Sequence, residues 1–370
     1  MSLPPARWEE ASSLPTLRMP QRRAASLDLL LSMVWGARND GVKEPFRARL
    51  AHSPLKAHWV STEDGWSLPL WRYAPRGDGC GTPLVLAGDL CLGPRSMDLH
   101  EDRSLVQYFH RLGFDVYIFG HRAGPKAIPP QHQTSIDFDS IVRHDVPAAI
   151  KTVRSFSQTR RIHWVGHGFG GQCLVGHLAQ DGGDDIGAGA LLSSAVHFEP
   201  YRATIRRVAA IAERLPQAWR IPTQRIQEIL TVTSKAKDLS NVTLRMEGPL
   251  ARAMLMDATT DLSVGLIQQI NSWHKTGHLT DRTNRFDYLE GLSGRDARLL
   301  VVGSPSDQFC SPDAAKPVFD KLAKGSGRWL LLPEGWAHLD LIAGADAPRT
   351  LFPKVADWLQ KHNGRCWTDS

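Results

Sequence analysis

The segment RIHWVGHGFGGQCLVGHLA, which begins at Arg161, constrains the fold of this chain more than any other. It opens with an apolar strand pattern, passes through a glycine-rich turn at residues 166–171 and continues as an apolar helical pattern. Small residues on both sides let a tight, strained turn pass between the strand and the helix, which is the layout of a nucleophile elbow. The central position of the turn is Gly168, where such an elbow would carry Ser, Cys or Asp.

Short apolar runs separated by helical stretches fill much of the chain. They are PLVLAG (83–88), FDVYIFG (114–120), RIHWVG (161–166), GALLSSA (189–195), RLLVVG (298–303) and WLLLP (329–333). Runs rich in Val, Leu and Ile between helices are typical of a parallel sheet that is buried on both faces. Ahead of them, HWVSTEDGWSLPLWRYAP alternates around Asp64-Gly65 and predicts a hairpin. We therefore predict an α/β fold with a mostly parallel central sheet, flanked by helices and preceded by two antiparallel strands.

Two intervals fall outside this pattern. Residues 1–55 are rich in proline and mixed charge, with one candidate amphipathic helix near Ser26 to Val34, and predict a loosely held N-terminal extension. Residues 198–286 have helical patterns and no strong strand signal, and predict a helical cap inserted between two strands. The core would then comprise residues 56–197 and 287–370.

Composition excludes several function classes. The chain is 42% hydrophobic and 22% charged, as expected of a soluble globular protein. Its net charge of +6 is spread without an arginine-rich arm or zinc-finger spacing, so no nucleic-acid partner is predicted. The cap begins with an arginine-rich stretch, which a solvated helix face explains best, although contact with lipid or an anionic ligand is an alternative.

Five scattered cysteines lack the paired spacing of a zinc site or a disulfide framework, and favour a reducing, cytoplasmic location. The apolar stretch from Ala24 to Ala37 only faintly resembles a secretion signal, because Asp28 interrupts it and the leader before it is long. No metal site is predicted, since His163, His167 and His177 do not match a defined ligand motif. The glycine pattern is not a dinucleotide fingerprint either, so no cofactor is predicted.

Taken together, these motifs resemble the α/β-hydrolase superfamily, in which the elbow usually reads Gly-His-Ser-x-Gly-Gly. The resemblance extends over residues 58–362, and the segments TEDGWSLPLWRY, IDFDSIVRHDVPAAI and AHLDLIAG are similar to bacterial lipases and polyhydroxyalkanoate-synthase-like proteins. It implies an α/β-hydrolase fold with a helical cap, and a substrate that is a carboxylic ester or another lipid-like acyl compound.

The resemblance also implies the order nucleophile, acid, histidine along the chain. Asp307, in GSPSDQF just past the run RLLVVG, matches the acid. His338, in EGWAHLDLIAG after WLLLP, matches the histidine, which would bind the acid through one ring nitrogen and act as a base through the other. Either residue alone would be an ordinary capping or solvated side chain, but their order and positions after strands favour a catalytic pair.

An acyl-transfer site also needs backbone N–H groups directed at the developing oxyanion. The residue after the elbow, Phe169, would supply one. The other would come from the loop after PLVLAG, where the usual His-Gly is replaced by Ala-Gly and followed by Asp89, Leu90 and Cys91. A carboxylate beside an oxyanion raises its energy unless the carboxylate points away, so Asp89 is a departure with consequences.

Glycine offers no side-chain nucleophile, so the covalent acyl-enzyme route is closed at Gly168. Cys91 is the first substitute to test, although a buried small residue is the simpler interpretation of this cysteine. Two hypotheses stay open. The chain is either a weakly active or inactive acyl hydrolase, in which His338 activates water, or a non-catalytic binding or partner protein on the same fold.

Overall fold

The computed structural model describes residues 56–75, 81–90, 92–131, 136–200, 210–223, 243–258 and 260–367. The predicted N-terminal extension, the candidate helix within it and Cys91 lie outside these ranges. Within them, no helix is both long enough and apolar enough to span a lipid bilayer.

An eight-stranded sheet forms the centre of the fold in the described part of the chain. Its strands are β1 (Lys56–Ser61), β2 (Ser67–Tyr73), β3 (Pro83–Ala87), β4 (Asp115–Phe119), β5 (Ile162–His167), β6 (Ile186–Leu192), β9 (Leu299–Gly303) and β10 (Gly327–Leu331). They lie side by side in the order β1-β2-β4-β3-β5-β6-β9-β10. The antiparallel pair β1 and β2 is the predicted hairpin, β2 pairs antiparallel with β4, and the remaining pairs are parallel. The mostly parallel sheet with two leading antiparallel strands is therefore confirmed.

Helices cover both faces of this sheet, which is why every residue of β3, β4, β5, β6 and β9 is buried. The longer ones are α1 (Leu105–Arg111), α2 (Val146–Ser157), α3 (Phe169–Asp181), α4 (Gly248–Asp257), α5 (Val264–Thr276), α6 (Pro312–Lys321) and α7 (Phe352–Lys361). Short helical turns lie at Pro94–Met97, Phe138–Ser140, Ile141–Asp145, Tyr288–Gly291, Asp340–Ala343, Ala347–Thr350 and Gly364–Trp367.

The interval 198–286 contributes α4, α5 and a small antiparallel pair, β7 (Arg220–Ile221) with β8 (Leu262–Ser263). The interval has no strong strand signal in the sequence, because a two-residue strand is too short to display a period. The helical character predicted for the interval is present in α4 and α5, and its role as a cap stays a prediction.

A buried ion-pair network fastens the leading hairpin to the sheet. Arg122, whose side chain is fully buried, donates to Asp145 at 2.7 Å and to Asp64 in the hairpin turn at 2.7 Å. Because a buried guanidinium is stable only when its donors are satisfied, the two carboxylates fix the turn against the loop after β4.

The predicted site residues that the structure describes lie in loops at one edge of the sheet, where the parallel strands end. Asp89 follows β3, Gly168 follows β5, Asp307 follows β9 and His338 follows β10. Because the carboxyl ends of parallel strands meet at the same edge, loops far apart in sequence converge there.

Candidate active site

The turn between β5 and α3 has the geometry of a nucleophile elbow. Gly168 adopts φ +50° and ψ −115°, a sparsely populated region with positive φ that costs a residue with a Cβ about 1–3 kcal/mol. The turn is also tight against the sheet, since a Cβ at Gly170 would lie 2.2 Å from the carbonyl oxygen of Ala87. Glycine at these positions lets the helix begin immediately after the strand.

Asp307 and His338 form the pair that their order in the chain predicts. The Nδ1 atom of His338 lies 2.7 Å from Oδ2 of Asp307, whose side chain is fully buried. The other oxygen of Asp307 accepts hydrogen bonds from the backbone N–H groups of Phe309 and Cys310. Burial opposes the charge of Asp307, but the hydrogen bond from His338 outweighs it and lowers the pKa of the carboxyl.

Asp89 points into the site rather than away from it. Its Oδ1 atom accepts hydrogen bonds from the backbone N–H groups of Phe169 and Leu90, each at 2.8 Å. Its Oδ2 atom lies 3.1 Å from Nε2 of His338. The N–H of Phe169, predicted to hold an oxyanion, and the N–H of Leu90, in the loop predicted to supply the second donor, therefore already hold a carboxylate oxygen of the protein itself.

The missing side chain at position 168 makes room for this carboxylate. A Cβ on Gly168 would lie 2.3 Å from Oδ1 and 2.5 Å from Cγ of Asp89, closer than real Cβ contacts. Gly168 and the inward position of Asp89 are thus mutually dependent, because a serine at the elbow would require Asp89 to move.

His338 lies between two carboxylates and must carry hydrogen on both nitrogens to donate to both of them. Burial opposes the charged ring, but the hydrogen bonds that His338 donates to Asp307 and Asp89 prevail and raise the pKa of His338 to about 10. The same contact acts on Asp89, where the hydrogen bond and charge of His338 overcome burial and lower the pKa of the carboxyl. At neutral pH the resting site is a carboxylate–imidazolium–carboxylate array.

A second histidine, His167, contacts the backbone of His338. Nε2 of His167 lies 3.0 Å from the backbone carbonyl oxygen of His338 and must donate to it, which leaves Nδ1 without a hydrogen. Burial and the charge of His338 lower the pKa of His167 to about 4, so this ring is neutral. The predicted packing role of His167 agrees with its complete burial.

Asp89, His167 and His338 bring candidate ligand atoms within 4.8 Å of one another, and this is the group that the described ranges offer to a metal ion. Two imidazoles and a carboxylate suit Zn²⁺ or a similar ion. The contact between His338 and Asp89 is, however, already satisfied by the proton on Nε2, so the arrangement needs no cation to account for it.

A cavity of about 270 Å³ opens onto this array. Asp89, whose side chain is 29% exposed, and His338 lie in its wall, together with Gly168 and the aromatic rings of Phe198 and Phe309. A larger cavity of about 380 Å³ lies beside α2, and none of the predicted site residues that the structure describes lines it.

The structure brings Gly168, Phe169, Asp89, Leu90, Asp307 and His338 together, whereas Cys91 lies outside the described residues. Cys173, which lies five residues beyond the elbow in α3, is fully buried, and burial raises the pKa of its thiol. The direct contact of Asp89 with His338 could not be anticipated from the sequence, although the unusual Asp after β3 marked the position.

The fold defines the class: the chain has the α/β-hydrolase fold, and the residues predicted as elbow, acid and histidine lie at the same edge of its sheet. Among curated proteins, it is 21% identical over 357 residues to Lipase 3 of Drosophila melanogaster, covering 84% of this chain and 90% of that protein. No family model matches the chain.

Solved structures of lipases and esterases share the fold. A monoacylglycerol lipase of Paleococcus ferrophilus superposes with a TM-score of 0.57 at 14% identity, covering 80% of this chain and 99% of that one. An esterase of Exiguobacterium antarcticum gives a TM-score of 0.58 at 13% identity, covering 82% and 100%. At such identities the similarity establishes the fold and does not extend to substrate.

Proposed function

We propose that the protein is a weakly active carboxylic-ester or lipid acyl hydrolase in which the His338–Asp307 pair activates water. The observation that carries the proposal is the 2.7 Å contact of Nδ1 of His338 with Asp307 at the elbow, beside a partly aromatic cavity. The proposed ligand is a small acyl or lipid-like molecule. Contact with a lipid surface and a reducing compartment belong to the same proposal. The compartment is in keeping with the described cysteines Cys173, Cys310 and Cys366, which are buried and not in disulfides.

Asp89 explains why this activity would be weak. An ester carbonyl oxygen that becomes an oxyanion needs the N–H groups of Phe169 and Leu90, which Asp89 occupies. His338 can take a proton from water only after losing its own, and Asp89 helps to retain that proton. Both the oxyanion donors and the base are thus held in an unproductive state by one side chain.

A panel of acyl esters of increasing chain length tests the proposal. We expect His338→Ala to lower kcat/KM at least about tenfold, since a positioned general base contributes about 10²–10⁴ when fully available. His58→Ala on β1 is the matched control, because it makes the same chemical change away from the cavity. Equal rates for the wild type and His338→Ala would remove the proposal.

The pH dependence of ester hydrolysis should report the ionisation of His338. The base form of His338 is populated only above its folded pKa of about 10, so kcat/KM of the wild type should rise with pH up to that region. Asp89→Asn removes one of the charges that raise this pKa and should move the inflection to lower pH. An inflection at the same pH in both proteins would contradict this account.

The ionisation of His338 also makes the free energy of unfolding depend on pH, and the sign of that dependence follows from its raised pKa. Because the pKa of His338 is higher in the folded than in the unfolded chain, its contribution is complete below the unfolded value, about 6.5. That contribution is lost as the pH rises through about 10. Denaturation of wild type and Asp89→Asn at pH 6 and pH 10.5 should show the larger loss in the wild type.

One observation favours the second candidate function, a non-catalytic binding protein. The N–H groups of Phe169 and Leu90 are satisfied by Asp89 without any ligand, as expected of a site that no longer has to accept an oxyanion. Saturable binding of a fatty acid in the cavity, with ester rates unchanged by His338→Ala, would favour this function.

A further inference from the structure

We propose that Asp89 is a carboxylate nucleophile, and that this pocket hydrolyses small alkyl compounds whose saturated carbon bears a leaving group that departs as an anion, such as a halide or sulfonate. This inference goes beyond the proposed ester hydrolysis, because it uses the same pocket on a different electrophile. It rests on the placement of each oxygen of Asp89.

The two oxygens of Asp89 have different surroundings. Oδ1 is held by the N–H groups of Phe169 and Leu90, each at 2.8 Å, and Oδ2 lies 3.1 Å from Nε2 of His338. A carboxylate oxygen has two lone pairs, so Oδ2 can accept from His338 and still present one lone pair to the cavity. The side chain is 29% exposed, in the wall of that cavity.

Gly168 completes this arrangement. The carboxylate occupies space that any side chain at the elbow would fill, because a Cβ there would lie 2.3 Å from Oδ1. In this proposal the nucleophile lies on the loop after β3, at Asp89, and not on the loop after β5, at Gly168. The oxyanion donors and the His338–Asp307 pair serve this nucleophile from the positions described above.

Carboxylate chemistry selects the electrophile. Attack of Oδ2 on an ester carbonyl would give a mixed anhydride, which is more reactive than the ester and reverts. Attack on a saturated carbon forms a C–O bond to Oδ2, breaks the bond to the leaving group and expels that group with its electron pair. The product of this step is a stable alkyl ester of Asp89 and a free anion.

The remaining groups are suited to hydrolyse that ester. Alkylation removes the negative charge of Asp89, one of the two charges that favour the imidazolium, so His338 releases its proton to solvent and becomes a base. Water then loses a proton to Nε2 of His338 and attacks Cγ of Asp89. The developing oxyanion is Oδ1, which the N–H groups of Phe169 and Leu90 already hold.

Collapse of this intermediate expels the alcohol, which takes up a proton, and restores the carboxylate. The sum is alkyl halide plus water to alcohol, halide and one proton, so atoms and charge balance without a further reactant. The cavity of about 270 Å³ and the rings of Phe198 and Phe309 suit a short apolar chain.

The probe for this reaction is 1-bromobutane with the full-length protein in excess, in water labelled with ¹⁸O. In the first turnover, we expect unlabelled butanol and one ¹⁸O atom in the peptide containing Asp89, located by tandem mass spectrometry. His338→Gln should release bromide once and retain a butyl group on Asp89. Asp89→Asn should lower bromide release at least about 100-fold, by analogy with the loss of other catalytic nucleophiles.

Asp320→Asn on the exposed face of α6 is the control, and should match the wild type. Circular dichroism and thermal melting confirm that each variant is folded. Label in butanol, a butyl group on another residue, or bromide release unchanged in folded Asp89→Asn would overturn the inference. Ester hydrolysis without bromide release defeats this inference alone, whereas Asp89 labelling without ester turnover defeats only the ester proposal and supports this one.

Discussion

Gly168→Ser alone is expected to leave the protein unreactive towards a fluorophosphonate, whereas Gly168→Ser combined with Asp89→Gly is expected to produce a reactive serine. The single variant fails because its Cβ would lie 2.3 Å from Oδ1 of Asp89, and because Asp89 still fills the oxyanion site. The double variant empties that site and frees His338 from one of its two carboxylates.

We expect the double variant to hydrolyse a short-chain acyl ester at least about 10²-fold faster than the single variant, the typical effect of one oxyanion donor. The measurement is kcat/KM together with covalent labelling by the fluorophosphonate. Asp89→Gly without the serine is the matched control, and should not be labelled. Labelling of the single variant at the same rate as the double variant would show that Asp89 does not block the site.

The sheet was predictable because its signal is local and repeated. Each apolar run lies between helical patterns, and the buried strands β3, β4, β5 and β9 appear within a residue or two of those runs. The start of β6 was harder to predict from the sequence, because IGAGALL contains small residues that are as typical of a turn as of a buried strand. Here the partners Ile162 and His163 on β5, which pair with Ile186 and Ala188, decide the outcome.

The site was predictable to the extent that it depends on chain order. Asp307 and His338 each follow a strand, and parallel topology then brings them together. The orientation of Asp89 could not be predicted from the sequence, because it depends on the space left at Gly168 and on N–H donors from two separate loops. A sequence shows that a carboxylate is present and does not show which way it turns.

Asp340→Ala is expected to produce the largest loss of stability among single changes near the site. Asp340 is fully buried, and its oxygens accept from the backbone N–H groups of Leu244, Arg245 and Ala337 and from the hydroxyl of Thr243. Removing the carboxylate leaves buried donors unsatisfied, at a cost of about 1–3 kcal/mol for each group. We therefore expect the free energy of unfolding to fall by about 3 kcal/mol or more.

Asp340→Ala should also lower the rate of ester hydrolysis, because Asp340 accepts a hydrogen bond from Ala337, the residue before His338. It thereby connects the loop that carries His338 to residues 243–245. Asp346→Ala is the matched control: this carboxylate is 48% exposed and pairs with Arg245 at the surface, so its loss should cost less than about 1 kcal/mol. Urea denaturation of both variants measures the difference. Equal urea midpoints for the two variants would mean that the position of His338 does not depend on Asp340. The loop that carries His338 would then be held by other contacts, such as the hydrogen bond that the Ser304 hydroxyl donates to the carbonyl oxygen of Trp336.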